Sequence, residues 1–259
     1  MLDLVDEKFV IEGGCRLTGS ITVNGAKNAA LPVMAACILT KGASRIRSIP
    51  KLTDVEIMGR ILECLGLSVK HLEDGSLEMG TVDTTKVTAP YELVNEMRGS
   101  ICVLGPLLAR RNAAMVALPG GCVIGQRPID LHLKGLRAMG AEIDLKDGYV
   151  VAYATRLRGT EIYLGGAHGS TVLGTCNVLM AATLAEGTTL IRDAACEPEV
   201  TELANFLNAM GADIEGIGTS VLKIHGVKRL HGTEYAVIPD RIEAGTFMVA
   251  GAITQGDVF

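Results

Sequence analysis

Tryptophan is absent from this 259-residue sequence, and aromatic residues of all kinds make up only 3% of it. So few rings leave no stacking platform for single-stranded nucleic acid. The charge is also wrong for such a partner: 24 Lys and Arg stand against 29 Asp and Glu, net −5, where a nucleic-acid binder carries a basic footprint. Long apolar runs are missing too. The longest, around Ala29 to Leu39, is too short to cross a bilayer, and the opening MLDLVDEKF is acidic where a secretory leader would be basic. The expectation is a cytoplasmic chain with neither a nucleic-acid nor a membrane partner. No C-x-x-C pair occurs among Cys15, Cys37, Cys64, Cys102, Cys122, Cys176 and Cys196, and their number is odd. That argues against a disulfide framework or a zinc or redox centre, predicts mostly small buried thiols, and leaves no metal or cofactor expected.

What is present is apolar bulk and repetition. Hydrophobic residues make up 48% of the chain, enough for a large core, and 31 glycines with eight prolines punctuate it evenly. Ala36-Cys-Ile-Leu-Thr-Lys-Gly42 reappears as Ala182-Thr-Leu-Ala-Glu-Gly187, each followed by an Ile-Arg pair (Ile46-Arg47, Ile191-Arg192). Gly42 and Gly187 lie 145 positions apart, as do Gly66 and Gly211. A unit between them is marked by Leu136-Arg-Ala-Met-Gly140, the counterpart of Leu207-Asn-Ala-Met-Gly211. Helix-stop glycines, then an alternating strand and an Asp-Gly turn (Asp74-Gly75, Asp147-Gly148), predict helix, strand, helix, hairpin in units of roughly 70 residues. The fold class is therefore α/β (α+β), a tandem module and not a doubly wound sheet. From turn to capping glycine the first and third units span 24 positions and the middle one 28, the surplus falling at Pro119 to Gly125. An insertion in a regular array is where function tends to sit. Ala250 to Phe259 opens a fourth copy and stops within its strand, so the expectation is a truncated chain.

Three segments carry candidate chemistry. In Asn24-Gly-Ala-Lys27-Asn28-Ala-Ala-Leu-Pro32, a Gly turn delivers Lys27 and Asn28 to the start of an apolar helix, where free N–H groups and an ammonium favour an anion. Taken alone, such a pair is more often a solvated cap. In Leu118-Pro-Gly-Gly-Cys122-Val-Ile-Gly-Gln-Arg127-Pro128-Ile129-Asp130-Leu131-His132, glycines expose a sulfur and Arg127 is near enough in sequence to favour its thiolate. A surface Cys in a turn is the plainer reading of Gly-Gly-Cys. Arg98, ahead of the helix ending near Arg110, suits a phosphate or carboxylate, though an Arg at a helix start is commonly surface decoration. Glu197-Pro198-Glu199 and Asp240-Arg241 read as helix starts whose acidic residues satisfy free N–H groups.

The blocks GAKNAALP, MRGSICVLGPLLAR, LPGGCVIGQRPIDLH, AATLAEGTT, EPEVTELANFLNAMGA and IPDRIEAGTF together resemble the UDP-N-acetylglucosamine enolpyruvyl transferases (1-carboxyvinyltransferases), over nearly the whole chain. The Pro-Gly-Gly-Cys loop with Arg-Pro-x-Asp-Leu is the most specific, because the sister shikimate-pathway transferase shares the fold without that cysteine.

The resemblance implies two domains, each an inside-out α/β barrel of three repeated α/β units, with the active site between them. Residues 27–237 would be one complete domain, and 1–26 with 238–259 the start of the other. It implies transfer of the enolpyruvyl group of phosphoenolpyruvate to the 3′-hydroxyl of UDP-N-acetylglucosamine, through a tetrahedral intermediate and loss of phosphate. Lys27 and Arg127 would hold the phosphate of phosphoenolpyruvate, Asn28 the amino-sugar, and Arg98 a substrate anion. Cys122 would be the loop cysteine that adds to phosphoenolpyruvate and is alkylated by fosfomycin, acting as proton donor or in product release. Arg127, Pro128, Ile129, Asp130 and Leu131 would line the uridine site, Thr171 and Val172 continue it, and Asp240 lie near the sugar. The family's catalytic aspartate and a further arginine would fall beyond Phe259, so the resemblance implies little turnover by residues 1–259 alone. Leu173 stands where Gly is more usual, and Cys102, at a position that is sometimes Trp, is expected to pack.

Overall fold

A helix that is apolar on every side must be covered on every side. The computed structural model, which describes residues 8, 10–120, 128–167 and 169–259, satisfies that demand for two helices of a threefold repeat. After the two-residue strand β1 (Thr18–Gly19), the first repeat runs α1 (Lys27–Ala36), a 3-10 turn (Cys37–Leu39), β2 (Ser44–Arg47), α2 (Thr53–Cys64), β3 (Leu67–His71) and β4 (Leu77–Thr81). The second runs β5 (Thr88–Ala89), the short α3 (Tyr91–Val94), a 3-10 segment (Arg98–Val103), α4 (Leu104–Arg111), β6 (Ala113–Ala117), α5 (Asp130–Ala138), β7 (Glu142–Lys146) and β8 (Tyr149–Tyr153). The third runs β9 (Glu161–Tyr163), the short hairpin β10 (Gly165–Gly166) and β11 (Gly169–Ser170), α6 (Val172–Ala182), β12 (Thr188–Arg192), α7 (Pro198–Ala209), β13 (Asp213–Glu215) and β14 (Val221–His225). Then follow β15 (Glu234–Ala236), α8 (Arg241–Ile253) and β16 (Asp257–Val258).

The chain divides into two compact units, Gly25–Ile238 and a smaller one formed by the described residues up to Asn24 with Pro239–Phe259. In the large unit, α1 and α6 are buried almost throughout, while the strands bury alternate residues and expose the rest. The helices therefore form the inside and the sheets the outside. Each repeat makes one four-stranded sheet, ordered β15-β2-β4-β3, β5-β6-β8-β7 and β9-β12-β14-β13. Ile46, Val116 and Ile191 occupy equivalent central positions and are fully buried, each contributing about 1.5–3 kcal/mol by burial.

The parallel fourth strand of each sheet is absent from the sequence-based scheme of helix, strand, helix and hairpin. Those strands are two or three residues long, too short to show alternation. The first repeat takes its fourth strand, β15, from beyond the third, so the ends of the large unit are joined by strand pairing at Tyr235↔Ile46. Buried Glu202 secures that return: it accepts hydrogen bonds from the Tyr235 hydroxyl (3.1 Å) and the Ile238 N–H (3.0 Å), and Tyr235 meets the ring of Phe206 edge-on. The repeated helix stops Gly66, Gly140 and Gly211 all have left-handed φ, +80° to +96°, a conformation that costs a side-chain-bearing residue but not glycine. In the smaller unit, β1 pairs in parallel with β16, and Asp240 caps α8 by accepting from the Ile242 and Glu243 N–H groups. No helix of the described residues is long and apolar enough to cross a membrane.

Candidate active site

Gly25 brings the chain into α1. A Cβ there would fall 1.7 Å from the Ser48 carbonyl oxygen, so only glycine lets the backbone pass, and Ala26 then starts the helix without a side-chain cap. Lys27, its first residue, is ion-paired at 2.7 Å with Asp54 in the first turn of α2. Both side chains are about one-third exposed, so the ammonium is oriented but still within reach of an anion. Asn28 follows, exposed. Pro32, four residues on, has no N–H to give the Asn28 carbonyl.

The 3-10 segment headed by half-buried Arg98 packs on the same helix, because Gly99 lies so close to Leu31 that a Cβ would be 2.8 Å from its Cδ1. Gly120, the last described residue before position 128, is pressed against Asn95 (2.2 Å from an added Cβ to the carbonyl oxygen), just upstream of Arg98. Cys122 and Arg127 lie outside the described residues.

Beyond them, Pro128 is exposed, Ile129 half-buried, and Asp130 opens α5 with its carboxylate at the positive end of the helix dipole. Leu131 rests on Gly166 of the β10–β11 hairpin, whose other strand leads directly to Thr171. Thr171 caps α6 by accepting from the Gly174 N–H at 3.2 Å, and its carbonyl accepts from the Thr175 hydroxyl at 2.7 Å. Within the large unit, then, α1 and the Arg98 segment pack together, the Arg98 segment packs on α6, and α6 packs on α5. Lys27, Asn28, Arg98, Asp130, Leu131, Thr171 and Val172 all sit at or near the N-terminal ends of this one packed set. Asp240 belongs to the smaller unit.

Three residues go unassigned by the motifs. Asp54 holds Lys27 from 27 positions away, which spacing alone does not reveal. His132, quoted within a motif without a role, is buried, and its imidazole pKa is pushed down to about 4, first by burial and then by the positive charge of Arg98. Asn177 is the lone amide in the apolar run VLGTCNVLMAA, a signal that a polar side chain there needs dedicated partners. Of the six cysteines described, Cys37, Cys102 and Cys176 are buried; burial pushes the first two thiols up to about 12 and the third well up, so none is a thiolate near neutrality. Cys15, Cys64 and Cys196 are exposed, against the expectation of mostly buried thiols. Glu197 makes no side-chain cap on α7, which is started instead by Pro198 at its first position. Among the described residues no group of three or more His, Cys, Asp or Glu is placed to hold a metal ion.

The sequence profile of EPSP synthase (3-phosphoshikimate 1-carboxyvinyltransferase) matches residues 11–259. The chain is 56% identical over 252 residues to the UDP-N-acetylglucosamine 1-carboxyvinyltransferase of Methylacidiphilum infernorum and 54% identical to UDP-N-acetylglucosamine 1-carboxyvinyltransferase 2 of Carboxydothermus hydrogenoformans. Each match takes in 97% of this chain and 59% of the relative, so the chain spans about three-fifths of the length of these curated relatives. Among solved structures it superposes on the enolpyruvyl transferase NikO from Streptomyces tendae with a TM-score of 0.80 at 26% identity, over 93% of this chain and 56% of that one. EPSP synthase from Acinetobacter baumannii, at 24% identity and a TM-score of 0.73 over 95% and 56% of the two chains, shares the fold. On the match across residues 11–259, this chain belongs to the EPSP synthase family of enolpyruvyl transferases.

Proposed function

We propose that this chain is the cysteine-loop-bearing part of an enzyme that moves the enolpyruvyl group of phosphoenolpyruvate to the 3′-hydroxyl of UDP-N-acetylglucosamine, the first committed step of peptidoglycan precursor synthesis, in the cytoplasm. The observation that carries this reading is identity of more than half over 97% of the chain to relatives bearing that name, against 24% to EPSP synthase itself. The geometry favours it as well, since the helix starts that carry Lys27, Arg98, Asp130 and Thr171 belong to one packed set of elements suited to a long anionic ligand.

In the proposed reaction the 3′-hydroxyl gives its proton to the family's catalytic aspartate as its oxygen bonds to C2 of phosphoenolpyruvate, and C3 gains a proton to become a methyl group. The tetrahedral adduct then loses phosphate from C2 and a proton from that methyl, which restores the double bond. Lys27 and Arg127 balance the phosphate as its bond breaks; Asn28 orients the amino-sugar and Arg98 takes a substrate anion. Cys122 supplies the C3 proton or acts in product release. Arg127 to Leu131, with Thr171 and Val172, form the uridine side of the site, and Asp240 approaches the sugar. No cofactor enters this chemistry.

Phosphate release from phosphoenolpyruvate by the full-length protein tests the proposal. It should require UDP-N-acetylglucosamine, and Lys27→Ala should lower kcat/KM by about 100-fold or more, since a charge-assisted phosphate contact is lost. Release that needs shikimate 3-phosphate instead would overturn it.

A further inference from the structure

Asn177 sits in the middle of α6, a helix with nine of its eleven residues buried. An amide in such a place destabilises the fold unless each polar atom is bonded. Its Oδ1 accepts from the Gly105 N–H at 2.7 Å, and its Nδ2 donates to the Ile101 carbonyl at 3.0 Å. Gly105 N–H and Ile101 C=O are the pair that an uninterrupted α-helix would join directly. The Asn177 amide bonds both, at the junction where the 3-10 segment of Arg98 gives way to α4. The second Nδ2 hydrogen faces His132 Nδ1 at 3.0 Å. Because a backbone N–H only donates and a carbonyl only accepts, the amide has one orientation, and Nδ1 must be the unprotonated, accepting nitrogen of a neutral imidazole.

Both neighbouring helices are drawn onto this point by glycine. A Cβ on Gly105 would lie 2.2 Å from the Asn177 carbonyl oxygen, and one on Gly135 would lie 2.4 Å from Val178 Cγ2. His132 is the third residue of α5, directly after Asp130 and Leu131, and α6 itself begins after Thr171.

We infer that His132 and Asn177 are a positioning pair: through one buried amide they hold the Arg98 segment, the Asp130–Leu131 turn and the Thr171–Val172 turn at a fixed spacing, and so set affinity for the sugar nucleotide. Neither side chain touches substrate in this account, which rests on the reading given under Proposed function. His132→Leu removes the acceptor, whereas His132→Asn returns an oxygen near the place of Nδ1. In the full-length protein, His132→Leu should raise KM for UDP-N-acetylglucosamine about tenfold while KM for phosphoenolpyruvate stays within about twofold, and His132→Asn should recover most of the loss. A general structural defect would instead lower the active fraction, and hence kcat, with both KM values unchanged. That result, or a folded His132→Leu protein with unaltered kinetics, overturns the inference.

Should His132→Leu not fold, nitrogen-15 NMR of the unsubstituted protein decides. Between about pH 5.5 and 8 the His132 ring must carry its proton on Nε2 alone. A proton on Nδ1 would face an amide donor and contradict the junction. An unsubstituted protein inert toward UDP-N-acetylglucosamine would sink the functional reading and the affinity claim while the NMR result still judged the junction, so the two failures are distinguishable.

Discussion

Two apolar helices of this chain meet opposite ends. In α6, nine of eleven residues are buried; in α8, RIEAGTFMVAGAI, none is, and Met248, Val249 and Ile253 are 60–77% exposed. Composition does not separate them, but neighbours do. Gly105 and Gly135 let α4 and α5 close onto α6, whereas within the smaller unit α8 packs on the two-residue strand β16 and borders an open groove lined by Ile21, Val23, Phe247, Met248, Val258 and Phe259. Within the smaller unit, no described residue covers the exposed face of α8. An apolar pattern thus states that a helix requires cover, and only the surrounding backbone states whether the cover is there. The contrast bears on function, because Asp240, the proposed sugar contact, is the N-cap of the uncovered helix.

Substitutions in the two regions should differ accordingly. Phe206→Ala in α7 empties a fully buried site beside Tyr235 and should cost about 3–5 kcal/mol in urea unfolding. Glycine to alanine offers the sharper comparison, since one change should act in opposite directions. Gly105→Ala forces a methyl group to within 2.2 Å of backbone oxygen and should lower stability by about 3 kcal/mol by calorimetry. Gly245→Ala, in α8 with nothing within 4 Å of the new atom, should instead raise it by up to about 1 kcal/mol. Equal effects at the two sites would contradict the contrast.

Acid should reveal the packed region next. The folded His132 value of about 4 lies below the unfolded 6.5, so the proton binds the unfolded chain more readily. Its contribution is complete above pH 6.5 and is lost as pH falls toward 4, by about 3 kcal/mol in all. Of the charged groups acting on His132, Arg98 reinforces the depression and Asp130 opposes it. His132→Asn should remove that part of the slope. The smallest effect belongs to the uncovered helix: in residues 1–259 alone, Met248→Lys should change stability by no more than about 0.5 kcal/mol and reduce aggregation measured by light scattering, while a large loss of stability would show that the side chain is packed.

Much of the scaffold is legible because a repeat shows itself in its punctuation. The glycines at 66, 140 and 211 mark true helix ends, and Asp147-Gly148 turns the β7–β8 hairpin with both residues at positive φ. The short parallel strands and the 3-10 segment are not legible, since two or three residues carry no periodicity and pair with partners far away in sequence. The candidate site divides in the same way. Lys27, Arg98 and Asp130 stand out through helix-start position and motif, whereas Asp54 and Asn177 matter through contacts 27 and 72 positions distant.

Fosfomycin labelling of the full-length protein, mapped by peptide mass spectrometry, tests the central functional claim most directly. A single modification is expected at Cys122, faster when UDP-N-acetylglucosamine is present and unaffected by shikimate 3-phosphate. Modification at exposed Cys15, Cys64 or Cys196 instead, or a rate indifferent to the sugar nucleotide, would contradict it.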